Sequence, residues 1–211
     1  MDAKIGIVIL NYESASALRL TLKSLELIQD NTDFVVGVVD NASVDGPIAK
    51  TYYEDFARAV PNRAYKFISN EENKGFAGGN NVMIRDMLGD NEITHIMLLN
   101  SDVVLPNFTL ERLLSHNKDA IGPVTNKAGN LQTIDVPIKP RFNLSCIQDV
   151  NRYSELRYSV YENLLQKSEM LVAFCVLFSR ELVEDVGLLD EQFFPGGYED
   201  DDYCLRILDK H

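Results

Sequence analysis

Positive charge is scarce in this chain: 20 lysines and arginines stand against 32 aspartates and glutamates, a formal net charge of -12 over 211 residues. That balance argues against nucleic acid or an anionic membrane surface as a partner reached through net charge. A phosphorylated small molecule stays open, because a metal ion and backbone amides can hold it locally. Cysteine is scarce as well. Cys146, Cys175 and Cys204 are odd in number and lack metal-ligand spacing, which reads as reduced thiols filling small core positions in a reducing compartment. No apolar run approaches the length of a membrane span, and Met1 to Lys4 leads straight into a short strand. A cytoplasmic protein without a transmembrane segment is therefore expected, with peripheral attachment to the inner face of a membrane left open. Internal repeats and low-complexity tracts are missing too. What remains is 45% hydrophobic and 25% charged, an ordinary globular composition at a length that suits one domain and is short for two.

The chain is organised around Ile96 to Asp102, Ile-Met-Leu-Leu-Asn-Ser-Asp. Four apolar residues without alternation are what a strand covered on both faces requires, and the run breaks abruptly into polar groups at the strand's carboxyl end. In open α/β sheets that edge is where ligands bind. An amide, a hydroxyl and one carboxylate can hold Mg²⁺ or Mn²⁺ there only if substrate phosphate oxygens and water complete the shell. A plain polar turn leading to the helix after Pro106 explains the same residues.

Taken in order, Ile5 to Leu10 and Phe34 to Val39 read as buried strands, each ending in polar residues, Asn11-Tyr12-Glu13 and Asp40-Asn41. Between them Ser14 is placed to cap a helix from Ala15 to Gln29, with Leu18, Leu22 and Leu25 on one face. Asp45-Gly46-Pro47 reads as the start of a helix reaching Ala59, and Tyr65 to Ile68 as a third strand. This alternation predicts a parallel sheet with helices on its faces. Gly75, Gly78 and Gly79 permit close approach of backbone to a ligand, ahead of a helix expected from Asn80 to Leu88. The loop matches neither a P-loop nor Gly-x-Gly-x-x-Gly, and a tight turn accounts for it equally. Thr94 to Leu99 is the fourth strand and Phe108 to His116 a helix. Strand character follows at Ala120 to Val124, at Leu131 to Ile138 and along Glu169 to Phe178, with Pro137 and Pro140 as breaks. Arg141 to Lys167 is polar, tyrosine-rich and without a firm assignment. Ser179 caps a helix from Arg180 to Val186, and a last helix starts at Glu199-Asp200-Asp201-Asp202, where acids also favour the helix dipole for stability alone.

Five stretches, in order, resemble the family 2 inverting glycosyltransferases, especially their rhamnosyltransferase-like members. They are Ile5 to Tyr12, Val38 to Gly46, Asn73 to Asn81, Leu98 to Asp102, and Glu191 to Phe194 with Glu199 to Arg206. About Asn126 to Lys167 stays unmatched. The resemblance implies a GT-A fold, an α/β Rossmann-like fold whose mostly parallel sheet carries a small antiparallel acceptor-side extension. It implies a single domain over 1–211, with a nucleotide-sugar-binding half at 1–105 and an acceptor-binding half at 106–211. By the family's pattern the chain stops in mid-motif at Leu208 to His211, so a shortened acceptor side is expected.

Carried over residue by residue, Asn11, Tyr12 and Glu13 match the loop around the donor's base and ribose, and Asp40 an acid contacting base or ribose. Asn73, Gly75, Phe76, Ala77 and Asn80 match the loop and helix start that close over the nucleotide. Asn100-Ser101-Asp102 match the Asp-x-Asp motif with its first acid replaced, which puts the metal chiefly on Asp102. Asp200 matches the catalytic base, with Tyr198 and Glu199 on the acceptor side. The implied reaction uses a nucleoside-diphosphate sugar, dTDP-rhamnose or a UDP-sugar, a glycan or lipid-linked acceptor, and Mg²⁺ or Mn²⁺. His95 and His116 read as structural or exposed, and a metal-ligand role for His211 is not expected. Tyr153, Tyr158 and Tyr161 are expected to be exposed and available to an interface. Two other readings compete: a nucleotide- or glycan-binding module without chemistry, and a sugar-nucleotide pyrophosphorylase. The latter typically carries a Gly-rich loop with basic residues after the first strand, and Asn11-Tyr12-Glu13-Ser14 lacks both.

Overall fold

A computed structural model of the chain describes residues 3–129, 131–134, 142–162 and 164–210. Six strands form one sheet: β1 (Lys4–Asn11), β2 (Asp33–Asp40), β3 (Ala64–Ser69), β4 (His95–Leu99), β5 (Ala120–Ile121) and β6 (Cys175–Ser179), in the spatial order β3-β2-β1-β4-β6-β5. The first four run parallel, while β6 pairs antiparallel with both β4 and β5. The expected mostly parallel sheet with a small antiparallel extension is what the molecule has. Progress across the sheet reverses between β1 and β4, so their carboxyl ends open a crevice at the switch point.

Both sheet faces are covered, which is why the strand sequences show little alternation. Ile5, Ile7 and Ile9 of β1 pack with Leu18, Leu22 and Leu25 of α1 (Ala15–Leu27) and with Tyr53 and Phe56 of α2 (Gly46–Ala59). On the opposite face Val8, Ile96, Leu98, Val176 and Phe178 pack with Met83, Ile84 and Met87 of α3 (Gly75–Leu88). The short helices α4 (Thr109–Ser115) and α6 (Arg180–Val186) flank β4 and follow β6, with α5 (Ile147–Tyr161) between them in sequence and α7 (Glu199–Lys210) last. At β2, a Cβ on Gly37 would come 2.5 Å from Met83 Sδ, so α3 rests directly on the sheet there.

Several boundaries differ from the sequence reading, for physical reasons. Helix α3 begins at Gly75, five residues before the expected start, because tertiary packing outweighs the poor helix propensity of Gly78, Gly79 and Asn80. The strand expected along Glu169 to Phe178 is confined to Cys175–Ser179, and the backbone just before it is held by side chains instead. Strand pairing after Ala120 stops at Ile121, and in the described part of 131–138 it is limited to a bridge between Thr125 and Thr133. Residues 135–138, Pro140, Arg141 and His211 lie outside the described residues. Ser14 and Asp45 make no side-chain cap to their own helices. All three tyrosines expected to be exposed are engaged within the chain: Tyr153 meets Phe142 edge-on at 5.2 Å, the Arg112 guanidinium lies 3.7 Å from the Tyr158 ring centroid, and Arg157 lies 4.8 Å from the ring centroid of Tyr161, which stays exposed.

Candidate functional site

Strands β1, β2 and β4 each end in polar residues at the same sheet edge, and the loops after them interlock. Asn11, fully buried at the end of β1, donates from Nδ2 to Asp40 Oδ1 at the end of β2 (2.8 Å). It also reaches Ser43 Oγ at 3.2 Å and Asp45 Oδ1 at 3.4 Å. The other Asp45 oxygen accepts the Ala15 N–H at 2.7 Å, so Asp45 satisfies an orphan donor of α1 rather than of its own helix. Asn11 and Asp40 thus serve each other, while Tyr12 is half exposed and Glu13, exposed, accepts the Val44 N–H. Glu13 and Ala42 both sit at positive φ, 50° and 61°, in the loops that border the cleft. Non-glycine residues in that region are kept there only by surrounding structure, and they cluster at functional sites.

The second wall is the loop leading into α3. Asn41, 1% exposed, donates to Asn73 Oδ1 (2.7 Å) and to the Gly75 carbonyl (3.1 Å), and accepts from Asn70 Nδ2 and the Lys74 N–H, both at 3.0 Å. Gly75 needs to be glycine: its φ is 71°, and a Cβ would come 2.9 Å from both the Phe194 ring and the Pro195 carbonyl oxygen. The Phe76 N–H donates to that carbonyl (2.9 Å), joining the start of α3 to the turn before α7. Ala77 and Asn80 are buried, with Asn80 Nδ2 bonded to the Phe76 carbonyl (2.9 Å). The next residue, Asn81, exchanges hydrogen bonds with the Leu189 backbone and donates to Glu191 Oε1 (2.9 Å), which Arg85 also contacts at 2.9 Å. The Asn81 hydrogen bond, then Arg85, hold the Glu191 carboxyl below its ordinary range.

At the third wall, Ser101 Oγ lies 2.9 Å from Ser14 Oγ and its carbonyl accepts from Thr21 Oγ1 at 2.7 Å, tying the end of β4 to α1. Asp102 is exposed, and its carboxylate accepts no hydrogen bond from any described residue. Asn100 donates its N–H to the Phe174 carbonyl (2.8 Å), and the neighbouring Ala173 N–H points to Asp200 Oδ2 (3.3 Å). Asp200 Oδ1 accepts the Asp201 N–H at 3.0 Å. One two-residue step of chain therefore separates Asp200 from the end of β4. Glu199 is buried and its carboxylate accepts the Gly197 N–H, while Tyr198 is 73% exposed at φ 72°. Beneath them the Cys204 thiol is pushed up, chiefly by burial. His95 stands at the far, amino end of β4 beside Thr94, away from these groups.

Residues that organise the site but that the sequence did not single out are Asn41, Asn81 and Asp45. Their partners lie 30 to 110 residues away, so the local sequence does not say what they bind. The available signal was a polar residue directly after a buried strand, or one within an apolar helix face.

The family model for glycosyl transferase family 2 matches residues 6–187. The low-salt glycan biosynthesis hexosyltransferase Agl10 of Haloferax volcanii is 23% identical over 203 residues, 96% of this chain and 61% of that protein. Among solved structures, the mannosyltransferase PcManGT from Pyrobaculum calidifontis, in complex with GDP-Man and Mn²⁺, superposes with TM-score 0.67 at 19% identity, covering 98% of this chain and 52% of that one. TarS 1-349 of S. aureus in complex with UDP gives 0.63 at 18% identity, covering 97% and 54%. At these identities the structural likeness concerns the fold, and this chain spans about half to three fifths of the length of these relatives. With the family model covering most of the sequence and the same fold beneath it, the chain belongs to glycosyl transferase family 2.

Proposed function

We propose that the chain transfers a sugar, with inversion, from a nucleoside-diphosphate donor to a glycan or lipid-linked acceptor in the synthesis of a cell-surface polysaccharide. dTDP-rhamnose and UDP-sugars are the donors to try first. Residues 1–105 hold the donor and 106–211 face the acceptor. The observation that carries this reading is the bridge at 173–174, with Asp200 on one side and the Asn100-Ser101-Asp102 turn on the other. An inverting transfer needs that pairing: the acceptor oxygen bonds to the anomeric carbon as the bond to the diphosphate breaks, its proton goes to a carboxylate, and the diphosphate departs with the electron pair. Asp200 is the base.

A divalent cation, Mg²⁺ or Mn²⁺, fits the donor set at the end of β4. Asp102 offers one exposed, unengaged carboxylate, and among the described residues no three acids, histidines or cysteines converge to enclose an ion by themselves. Asp102 would hold such an ion with the donor's phosphate oxygens and water completing its shell. When bound, the ion supplies charge stabilisation to the departing diphosphate. The crossing of Asn11, Asp40 and Asn41 fixes the loops against which base and ribose lie, with Tyr12, Glu13, Asn73, Gly75, Phe76, Ala77, Asn80, Asn100 and Ser101 along the donor side. Tyr198 and Glu199 stand on the acceptor side.

The test is a thermal-shift panel of nucleoside diphosphates and their sugars, with and without Mn²⁺, on the wild-type chain and Asp102→Ala. A native-state ligand raises the melting temperature according to its affinity. The expected result is a Mn²⁺-dependent rise with UDP or dTDP that Asp102→Ala removes; a rise that is unchanged in Asp102→Ala contradicts the metal assignment.

A further inference from the structure

Residues 171–174 precede β6 and pair with no strand among the described residues, yet three consecutive amides are each taken by a side chain from elsewhere in the fold. The Leu171 N–H goes to Cys204 Sγ at 3.3 Å, the Val172 N–H to Gln132 Oε1 at 2.7 Å and the Ala173 N–H to Asp200 Oδ2 at 3.3 Å. The Phe174 carbonyl then accepts from Asn100. Two of these clamps, Cys204 and Asp200, come from α7 itself, four residues and one turn apart. Gln132 pulls from the other side.

Gln132 is built for that position. It is 5% exposed, its Nε2 donates to the Pro123 carbonyl at 3.1 Å, and its own carbonyl accepts the Thr125 N–H at 2.7 Å. Gly122 leaves room for it, since a Cβ there would come 2.7 Å from Nε2. A buried amide with both ends engaged fixes the orientation of whatever it holds. Here it holds the peptide whose next amide sets the rotation of the Asp200 carboxylate, while Asp201 N–H fixes the other oxygen.

We propose that Gln132 is a positioning residue for sugar transfer: through Val172 it holds the 171–174 strap in register, and the strap presents Asp200 toward the end of β4. The proposal rests on Asp200 being the base. Cys204 is the second clamp, and the strap is the path by which a change at 122–132 reaches the reacting groups without touching donor or acceptor.

The experiment compares wild type, Gln132→Met, Gln132→Glu and Asp200→Asn, measuring release of UDP or dTDP from the donor sugar with Mn²⁺, calorimetric affinity for UDP or dTDP, melting temperature, and hydrogen exchange at Ala173. Gln132→Met keeps the size and removes the acceptor; kcat falls roughly ten- to a hundredfold, as expected for a displaced catalytic group, while donor KM and nucleotide affinity stay as in wild type. Gln132→Glu keeps an oxygen for Val172 and, while its buried carboxyl stays protonated, a donor for the Pro123 carbonyl, so at mildly acidic pH it restores most of the kcat that wild type shows at the same pH. Exchange at Ala173 quickens in Gln132→Met and not in Gln132→Glu. Wild-type kcat, or wild-type exchange at Ala173, in Gln132→Met overturns the proposal. So does a loss of kcat that tracks lost melting temperature and nucleotide affinity and is not restored by Gln132→Glu, which marks a structural role alone. Asp200→Asn separates the levels: if it turns over normally the base assignment fails and this proposal with it, whereas an inactive Asp200→Asn beside a normal Gln132→Met removes this proposal only.

Discussion

Asn41 satisfies four partners from the 70–75 loop with a single buried amide: Asn70, Asn73, the Lys74 N–H and the Gly75 carbonyl. Asn41→Ala leaves those groups to find water or go unpaired, and a buried polar group without a partner costs about 1–3 kcal/mol. The expected outcome is a loss of about 2 kcal/mol in urea unfolding with an unchanged denaturant slope, together with weaker UDP or dTDP binding by calorimetry. Asn41→Asp fares no better, because a carboxylate cannot donate to the Gly75 carbonyl. Tyr198 is the opposite case. Its ring is 73% exposed and its backbone has positive φ, a conformation that stability alone does not explain for a bulky residue. Tyr198→Ala is expected to change stability by less than about 0.5 kcal/mol while raising the acceptor KM and leaving the donor KM alone, read from initial rates with each substrate varied in turn. The sequence proposes Tyr198 for the acceptor side through the family resemblance, and its exposure leaves the ring accessible for that role. Asn41 was visible only as a member of a polar turn, because what it does depends on a loop some 30 residues later that folds back onto it.

The same limit operates on whole elements. β1, β2 and β4 were legible because strands buried on both faces must be apolar throughout, and Ile5 to Leu10, Phe34 to Val39 and Ile96 to Leu99 are. The start of α3 was not, since Gly78 and Gly79 argue against helix locally; Leu10 occupies the space a Cβ on Gly79 would need, 2.4 Å away. The stretch before β6 misled for another reason: apolarity marks burial, and its amides turn to Cys204, Gln132 and Asp200 rather than to a strand. Close packing of α3 on β2 gives a prediction at this scale. Gly37→Ala would press on three atoms of Met83, all within 2.9 Å, and overpacking of a filled core costs about 1–3 kcal/mol. Met83→Ala alone costs about 2–5 kcal/mol through its cavity, but in the double variant the two changes offset one another. A cycle of chemical denaturation on the four proteins is expected to show that coupling; simple addition would mean α3 is not seated on Gly37.

For the molecule as a whole, acidification acts through two groups that face opposite ends of the sheet. Burial pushes His95 below its ordinary 6.5, with Glu181 and Asp119 pulling weakly the other way, so the unfolded chain takes up that proton first. Its contribution to stability is full above 6.5 and erodes as pH falls toward the folded value. Glu191, held below its ordinary 4.5 by Asn81 and Arg85, stabilises above 4.5 and loses that contribution as pH falls through its folded value. Melting temperature is thus expected to drop steadily on acidification, and His95→Gln to flatten the slope just below 6.5 while leaving the part below 4.5 intact. At the same scale, the sheet order brings three polar strand ends and the start of α7 to one edge, and the transferase reading depends on that convergence. Its most direct test is Asp200→Asn measured for two properties in one preparation: calorimetric affinity for UDP or dTDP with Mn²⁺, and release of the nucleoside diphosphate from the donor sugar with acceptor present. The account predicts affinity within about twofold of wild type and turnover lower by about 10²–10⁴, the range a general base supplies. Turnover close to wild type in Asp200→Asn would contradict it.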